Sequence, residues 1–246
     1  MKMWTRCLRL LVDAGFEPGG TTMVELGPGD TLGLGLSAML YGIAHYTGLD
    51  AVPYARDFQP QPFLDALGKV PITIEAPRFV RRVTGTAYEN LRQDLLHRLH
   101  YVAPWKPRDV APETADLVLS CGVLLHMEDL ASIYRTTYEW LKPGGYACHW
   151  IPFTAMFLSP HWNGHWAYSD LEWRIAQGRR PYFLNRQPMS AHVQAAKDVG
   201  FDVLTTQAIP ATGGLPLSDL APRFQQMETS ALTTRQVRLV LRRPVG

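Results

Sequence analysis

Little in this 246-residue chain is in excess, and what it lacks narrows its class. Its 24 Lys and Arg against 22 Asp and Glu leave a net charge of +2, which gives no electrostatic footprint for nucleic acid. The one local basic cluster, Arg78, Arg81 and Arg82, reads as a solvated helix face. No apolar run reaches the ~18 residues of a bilayer span, and Asp13 interrupts the apolar stretch that a signal peptide would need. No membrane span is expected, and cytoplasmic is the simplest address. Only three cysteines occur, Cys7, Cys121 and Cys148; an odd, unpatterned set argues against a disulfide framework or a metal knuckle and reads as small core residues. With 46% hydrophobic and 19% charged residues, one domain over 1–246 around one large core is the expectation. The oligomeric state is not readable, and a homodimer is compatible with the chain.

What is present centres on Val24-Glu25-Leu26-Gly27-Pro28-Gly29-Asp30. Thr22–Leu26 predicts a buried strand, 27–30 a tight turn and 31–44 a helix, the unit that opens a nucleotide-binding α/β domain. Two glycines at the turn let the backbone approach a ligand closely. The third glycine of a dinucleotide fingerprint would fall at Leu32, and Pro28 removes an amide that a pyrophosphate would use. Glu25 ends the strand, where its carboxylate is expected to point into the site. Asp50 closes the next apolar run, about 20 residues on, where an acceptor for ribose hydroxyls belongs. Two acids and few cations suit a cationic ligand with a free ribose.

These residues resemble the first motif of class I S-adenosylmethionine-dependent methyltransferases, an acidic residue, any residue, then Gly-x-Gly; Thr31 stands where that family often has a third glycine. The resemblance runs in order over residues 20–152. Leu99-His100-Tyr101-Val102-Ala103 would be the third strand, and the loop Ala103-Pro104-Trp105 is where the family packs the adenine, for which an indole offers a flat apolar face. Ala115–Cys121 is apolar as a central parallel strand should be, and Gly122–Leu130 resembles the fourth motif, beneath the methionine end of the cofactor. A helix from Asp129 to Leu141 then meets Lys142-Pro143-Gly144-Gly145, a family mark that precedes the strand Tyr146–Ile151. The resemblance implies S-adenosyl-L-methionine as cofactor, held by Glu25, Gly27, Gly29, Asp50, Ala103, Trp105, Ser120 and His126. The implied fold is α/β, a Rossmann-like, doubly wound, seven-stranded and mostly parallel sheet with an antiparallel C-terminal strand and an aromatic-rich insertion. His126-x-Glu128-Asp129 mimics a metal site, but acids at a helix start serve capping, so no metal is expected.

Around this frame, apolar spacing predicts a helix over 3–15, another near 61–69 inside a proline-punctuated insertion that could cover the cofactor, and one over Tyr88–Leu99. Ser190–Val199 predicts a helix capped by Ser190 and stopped by Gly200, followed by a strand at Phe201–Ile209. Arg235–Arg242 alternates as the terminal strand, and the loop Pro210–Pro222 could reach the pocket.

The segment 149–186 holds four of the seven Trp and three His-Trp pairs. It builds a subcore under a lid, forms an acceptor pocket over 153–187 with Trp162, Trp166, Tyr168 and Arg186 as acceptor contacts, or does both together. A hydroxyl acceptor needs a base, and His165, then His161, then His149 are the candidates, with Asp170 as an orienter. Ser169-x-x-x-Trp173 and Asn185-Arg186 look like a subgroup of methyltransferases associated with bacterial polysaccharide and glycan assembly, although Pro152, Ala155 and Met156 replace that subgroup's acidic residue and Asp-His pair. The expected activity is O-methylation of a sugar, glycan or glycosylated small molecule. The alternatives are a natural-product methyltransferase acting on a polyketide or aromatic oxygen or nitrogen, and a non-catalytic, methyltransferase-like subunit. An NAD-dependent reductase lacks its Tyr-x-x-x-Lys pair here.

Overall fold

Helical spacing at the N-terminus folds as α1, Lys2–Asp13, which buries Trp4, Cys7, Leu8 and Leu11 on one face. The computed structural model describes residues 2–68, 73–76, 79–82, 94 and 97–246. Strand β1 is Thr22–Leu26, buried from Met23 onward. Helix α2 runs only from Gly33 to Leu40, shorter than the expected 31–44. Gly42 is the reason: at φ +114° it takes the left-handed conformation that ends helices, and its N–H closes on the Met39 carbonyl at 3.1 Å. Seven of the eight α2 residues are buried, as befits a helix that is apolar all round.

Strand β2 is His45–Leu49 and helix α3 is Pro60–Gly68, close to expectation. An antiparallel pair follows, β3 at Thr73–Ala76 and β4 at Phe79–Arg82. Pro71 and Pro77 cut this stretch into pieces too short to show alternation, which hid the strands from the sequence reading. Most of the helix expected over Tyr88–Leu99, and the side chains of the Arg78, Arg81 and Arg82 cluster, lie outside the described residues.

Strand β5 is Leu99–Val102, β6 is Ala115–Cys121, and α4 is Leu130–Trp140. Asp129 caps α4 by accepting the Ser132 amide at 2.9 Å. Strand β7, Leu141–Pro152, pairs with β6 at Leu141 and again from Tyr146, so Lys142–Gly145 bulges out between the two. Lys142 Nζ in that bulge reaches Asp116 Oδ1 at 2.8 Å, while Asp116 Oδ2 accepts the Thr22 amide at 2.8 Å. The Lys-Pro-Gly-Gly sequence therefore anchors the start of β6 to β1 as well as ending a helix.

Helix α5, Asp170–Gln177, has a reciprocal capping box between Ser169 and Glu172. Helix α6, Met189–Val199, starts one residue before the expected Ser190; Pro188 holds the cap position, without a side-chain bond. Gly200 ends it at φ +108°, as expected. Strand β8, Asp202–Pro210, two short helices α7, Pro222–Gln225, and α8, Thr229–Thr233, and strand β9, Thr234–Arg242, complete the chain.

The main sheet has seven strands in the order β5-β2-β1-β6-β7-β9-β8. β9 runs antiparallel to both its neighbours and every other pairing is parallel. Alternate side chains divide the core between the faces: Leu117, Leu119 and Cys148 pack beneath α1 and α2, and Val118, Ala147 and Ile151 beneath α4 and α6. Strand order reverses between β1 and β6, and a crevice at the carboxyl ends of strands is the usual consequence of such a reversal.

Candidate active site

At that reversal lies a cleft of about 500 Å³, in the size range of small-molecule sites. Its floor is the turn after β1. Gly27 and Gly29 stand at φ +65° and +75°, where a side chain is strained, and a Cβ at Gly27 would come within 2.4 Å of Val123 Cγ2. Beside Gly29 there is open space, so its backbone faces the cleft directly.

Asp50, at the end of β2, organises one wall. Its Oδ2 accepts the Gly29 amide at 3.1 Å and its Oδ1 accepts the Ala51 amide at 2.9 Å. The backbone of Asp50 meanwhile accepts from Trp105 N–H at 3.1 Å. One residue thus ties the glycine turn to the loop that carries Trp105. The Trp105 indole lines the cleft and rests edge-on against Trp140, with ring centroids 5.6 Å apart. Ala103 begins this loop but does not border the cleft.

The opposite wall is the loop after β6, with Gly122, Val123, His126 and Met127. Asn185 grips this loop from outside: its Nδ2 donates to the Leu124 and Met127 carbonyls at 2.7 and 2.8 Å, and its N–H to the Leu125 carbonyl at 2.8 Å. Burial lowers the pKa of His126 against a weaker opposing pull from the backbone of Tyr182 and Phe183. Its Nδ1 is buried without a hydrogen-bond partner. The ring is therefore neutral at pH 7, with one nitrogen left unpartnered.

Other expected site residues lie elsewhere. Glu25 is buried and turns away from the cleft, accepting the Tyr46 hydroxyl at Oε2 over 2.7 Å; desolvation raises its pKa to about 8. Ser120 is wholly buried, 2.8 Å from His149 Nδ1. His149 itself is enclosed between sheet and α4, with its pKa lowered to about 3 by desolvation. Neither reaches the cleft, because β6 and β7 direct both side chains to the α4 face.

Nor do Trp162, Trp166, Tyr168 and Arg186, the expected acceptor contacts, line the cleft. Trp166 is wholly buried, its Nε1 donating to the Arg186 carbonyl at 3.0 Å, and Trp162 packs edge-on against it. Tyr168 bonds the Leu158 carbonyl at 3.0 Å and packs on Trp173. The buried Arg186 guanidinium stacks over Trp173 at 4.6 Å, donates to the Tyr168 carbonyl at 2.7 Å and pairs with Asp170 at 2.6 Å. Asp170 therefore orients arginines, Arg186 and Arg223, and no histidine. His165 is buried beside a void of about 10 Å³; desolvation first, then the Arg186 charge, push its pKa down to about 3. His161 is exposed and lines no described pocket. Trp162, Trp166, Tyr168 and Trp173 pack as a subcore, while Pro181 and Tyr182 of the same segment line the cleft.

Among the cleft residues not expected as site residues are two exposed aromatics, Tyr54 and Tyr182. Tyr54 carries no motif, and Tyr182 was one of many aromatics in its segment. No group of three or more potential metal ligands forms among the described residues, and no helix among them is long and apolar enough to cross a membrane.

A doubly wound sheet with a glycine turn, a ribose-type carboxylate and a flanking indole at its switch point defines an adenosine-binding α/β protein. No Lys or Arg lines the cleft among the described residues, so the donor set fits the cationic, ribose-bearing S-adenosylmethionine better than a pyrophosphate. The chain belongs to a family of methyltransferase domains, whose model matches residues 4–206. No curated protein matches it in sequence. Its fold is similar to that of an S-adenosylmethionine dependent methyltransferase from Mesorhizobium loti, at 15% identity, 95% of this chain, 96% of that chain and a TM-score of 0.55. It is also similar to phosphoethanolamine N-methyltransferase 2 of Haemonchus contortus in complex with S-adenosyl-L-methionine, at 14% identity, 99% of this chain, 53% of the other and a TM-score of 0.57. The [4+2]-cyclase SpnF shares the fold too, at 14% identity, 98% and 81% coverage and a TM-score of 0.55.

Proposed function

We propose that this methyltransferase domain transfers the methyl group of S-adenosylmethionine to a hydroxyl of a sugar, glycan or glycosylated small molecule, with His126 as the proton acceptor. The observation that supports this most is the position of His126. His126, expected as a cofactor-side residue, lines the cleft opposite the wall of Asp50 and Trp105, whereas the expected bases His165, His161 and His149 do not line it.

When bound, the sulfonium supplies an electrophilic methyl carbon with a good leaving group. Gly27, Gly29 and Asp50 would hold the adenosyl portion, with the Asp50 carboxylate available to ribose hydroxyls. Trp105 offers the adenine a flat face. His126, neutral at pH 7, accepts the proton of the acceptor hydroxyl as the oxygen attacks in line. His149 and His165 are sealed in packed surroundings where a charged imidazole is strongly disfavoured, so neither suits this role.

Thermal unfolding with S-adenosylhomocysteine, S-adenosylmethionine and NAD in parallel tests the donor. Ligand at about 100 times Kd stabilises by roughly 2.7 kcal/mol, a shift of several degrees. The two adenosyl sulfur compounds are expected to give that shift, NAD none, and Asp50→Ala none with any of the three. A shift with NAD alone would sink the proposal.

A further inference from the structure

We infer that Tyr54 and Tyr182 form the acceptor subsite of the cleft, a pair of phenol rings that takes an uncharged acceptor with a flat C–H or aromatic face, a pyranoside in particular. This deepens the function proposed above and rests on it.

Both rings are exposed, by 64% and 53%, yet both line the same cleft. They approach it from different walls, Tyr54 from the loop after β2 and Tyr182 from the segment after α5 that packs on the His126 loop. A large aromatic left in water without a partner of its own is what a stacking subsite looks like before its ligand arrives.

Each ring is carried by built backbone. Tyr54 N–H bonds the Val52 carbonyl at 2.7 Å, and the Tyr101 hydroxyl on β5 accepts the Ala55 amide at 3.2 Å and donates to Val52 at 3.3 Å. Tyr182 stands at φ +56°, a conformation that opposes a bulky side chain. Such strain persists only where the surroundings over-determine it. Here they do: Arg186, also left-handed at φ +57°, is locked between Trp173 and Phe224, and Asn185 is bonded to the Leu124–Met127 loop. The strained strap therefore sets Tyr182 against the same loop that carries His126, which places acceptor contact and proton acceptor on one rigid unit.

Charge narrows the acceptor class. Among the described residues, the ionisable side chains of the cleft other than the two tyrosines are Asp50 and His126. A phosphate or carboxylate on the acceptor would meet the Asp50 carboxylate and find no Lys or Arg side chain among the described residues of the cleft. Phenol faces stack on the C–H side of a pyranose or on an aglycone ring, and their hydroxyls bond sugar hydroxyls without a charge.

The test is saturation-transfer NMR on the full chain with S-adenosylhomocysteine bound, using a panel of p-nitrophenyl pyranosides and, as the anionic comparison, glucose 1-phosphate. Expected is transfer to at least one neutral pyranoside and none to the phosphate. Tyr54→Ala and Tyr182→Ala each weaken that binding about five- to tenfold, the range of one lost stacking contact, while Tyr54→Phe and Tyr182→Phe largely keep it. Affinity for S-adenosylhomocysteine, measured by calorimetry, stays within about twofold in all four variants. Pyranoside binding undiminished in the double alanine variant, preference for the phosphate, or no binding by any neutral member would each overturn the subsite. Loss of S-adenosylhomocysteine binding in the parent chain would instead overturn the donor reading, so the two failures are distinct.

Discussion

The Tyr46 hydroxyl donates to Glu25 Oε2 at 2.7 Å, and both residues are sealed from water. The acid of the Gly-x-Gly motif is thus a partner of the sheet core. Desolvation, opposed by the Tyr46 bond, raises its pKa from 4.5 to about 8, so it is protonated at neutral pH. Proton binding is then stronger in the folded state. Stability from this group is complete below about pH 4.5 and is lost as pH rises through 8. Glu25→Gln cannot ionise, and its amide oxygen still accepts from Tyr46. Urea unfolding of parent and variant across pH 4.5 to 8 should show the gap moving in the variant's favour by about 4 kcal/mol. Parallel curves would refute the buried neutral acid. Binding of S-adenosylhomocysteine is expected to survive the substitution.

The opposite sign governs the acid limb. His149, His165 and His192 are buried, and desolvation brings each pKa to about 3, with help from Arg186 at His165 and from His149 at His192. Unfolded histidines bind protons from about pH 6.5 downward, before the folded ones do. Stability is therefore complete above about 6.5 and falls as pH drops towards 3. The slope of unfolding free energy on this limb should lose about one proton in His192→Gln. An unchanged slope would show that His192 titrates alike in both states.

How far the chain was legible follows from where its information is local. β1, β6 and the Gly200 stop were readable because an apolar run or a glycine declares itself within a few residues. Gly27, Gly29, Asp50 and Trp105 were readable as a set because the turn and the strand ends impose fixed spacing on them. The histidines were not. His149 lies within an apolar strand and His126 follows one; only the β6–β7 register sends the first to the α4 face, while a short helical turn at Leu124–His126 brings the second to the cleft. Trp166 and Arg186 resembled acceptor contacts for a related reason: composition marks a segment as aromatic without saying whether the rings face inward.

Trp166 separates packing from recognition. It is fully buried, bonded to the Arg186 carbonyl and stacked near Phe224. Trp166→Ala should destabilise the chain by about 3–5 kcal/mol, as large-to-small changes of buried Trp do. Denaturant unfolding reads this directly. Loss of acceptor binding without loss of stability would instead make Trp166 a recognition residue.

For His126, the pH dependence of turnover is the readout. Its pKa is lowered by burial, so kcat/KM should rise with pH and level off through a value below the usual histidine range. His126→Asn removes the proton acceptor and should lower kcat by about 10²–10⁴-fold, with S-adenosylhomocysteine binding largely kept and the acid limb of the profile abolished. A profile unchanged in shape would assign the limb to another group.

Asn185 tests whether the wall of the cleft must be held from behind. Its side chain touches no cleft surface, yet it satisfies the Leu124 and Met127 carbonyls and accepts the Gln187 amide at 2.9 Å. Asn185→Ala removes this partner from the Met127 carbonyl and the Gln187 amide, while the Leu124 carbonyl keeps the Met127 amide at 3.3 Å; each buried loss is worth about 1–3 kcal/mol. The loop between those carbonyls carries His126, so relaxation there displaces the proton acceptor while the Asp50 wall stays in place. Expected is a fall in kcat well beyond any change in S-adenosylhomocysteine affinity, together with a lower Tm. Asn185→Asp separates the two effects: its carboxylate can still accept from Gln187 but cannot donate to the two carbonyls. If the Asp variant keeps full kcat, the grip on the His126 loop is not what positions the base, and the segment after α5 acts on the cleft through Tyr182 alone.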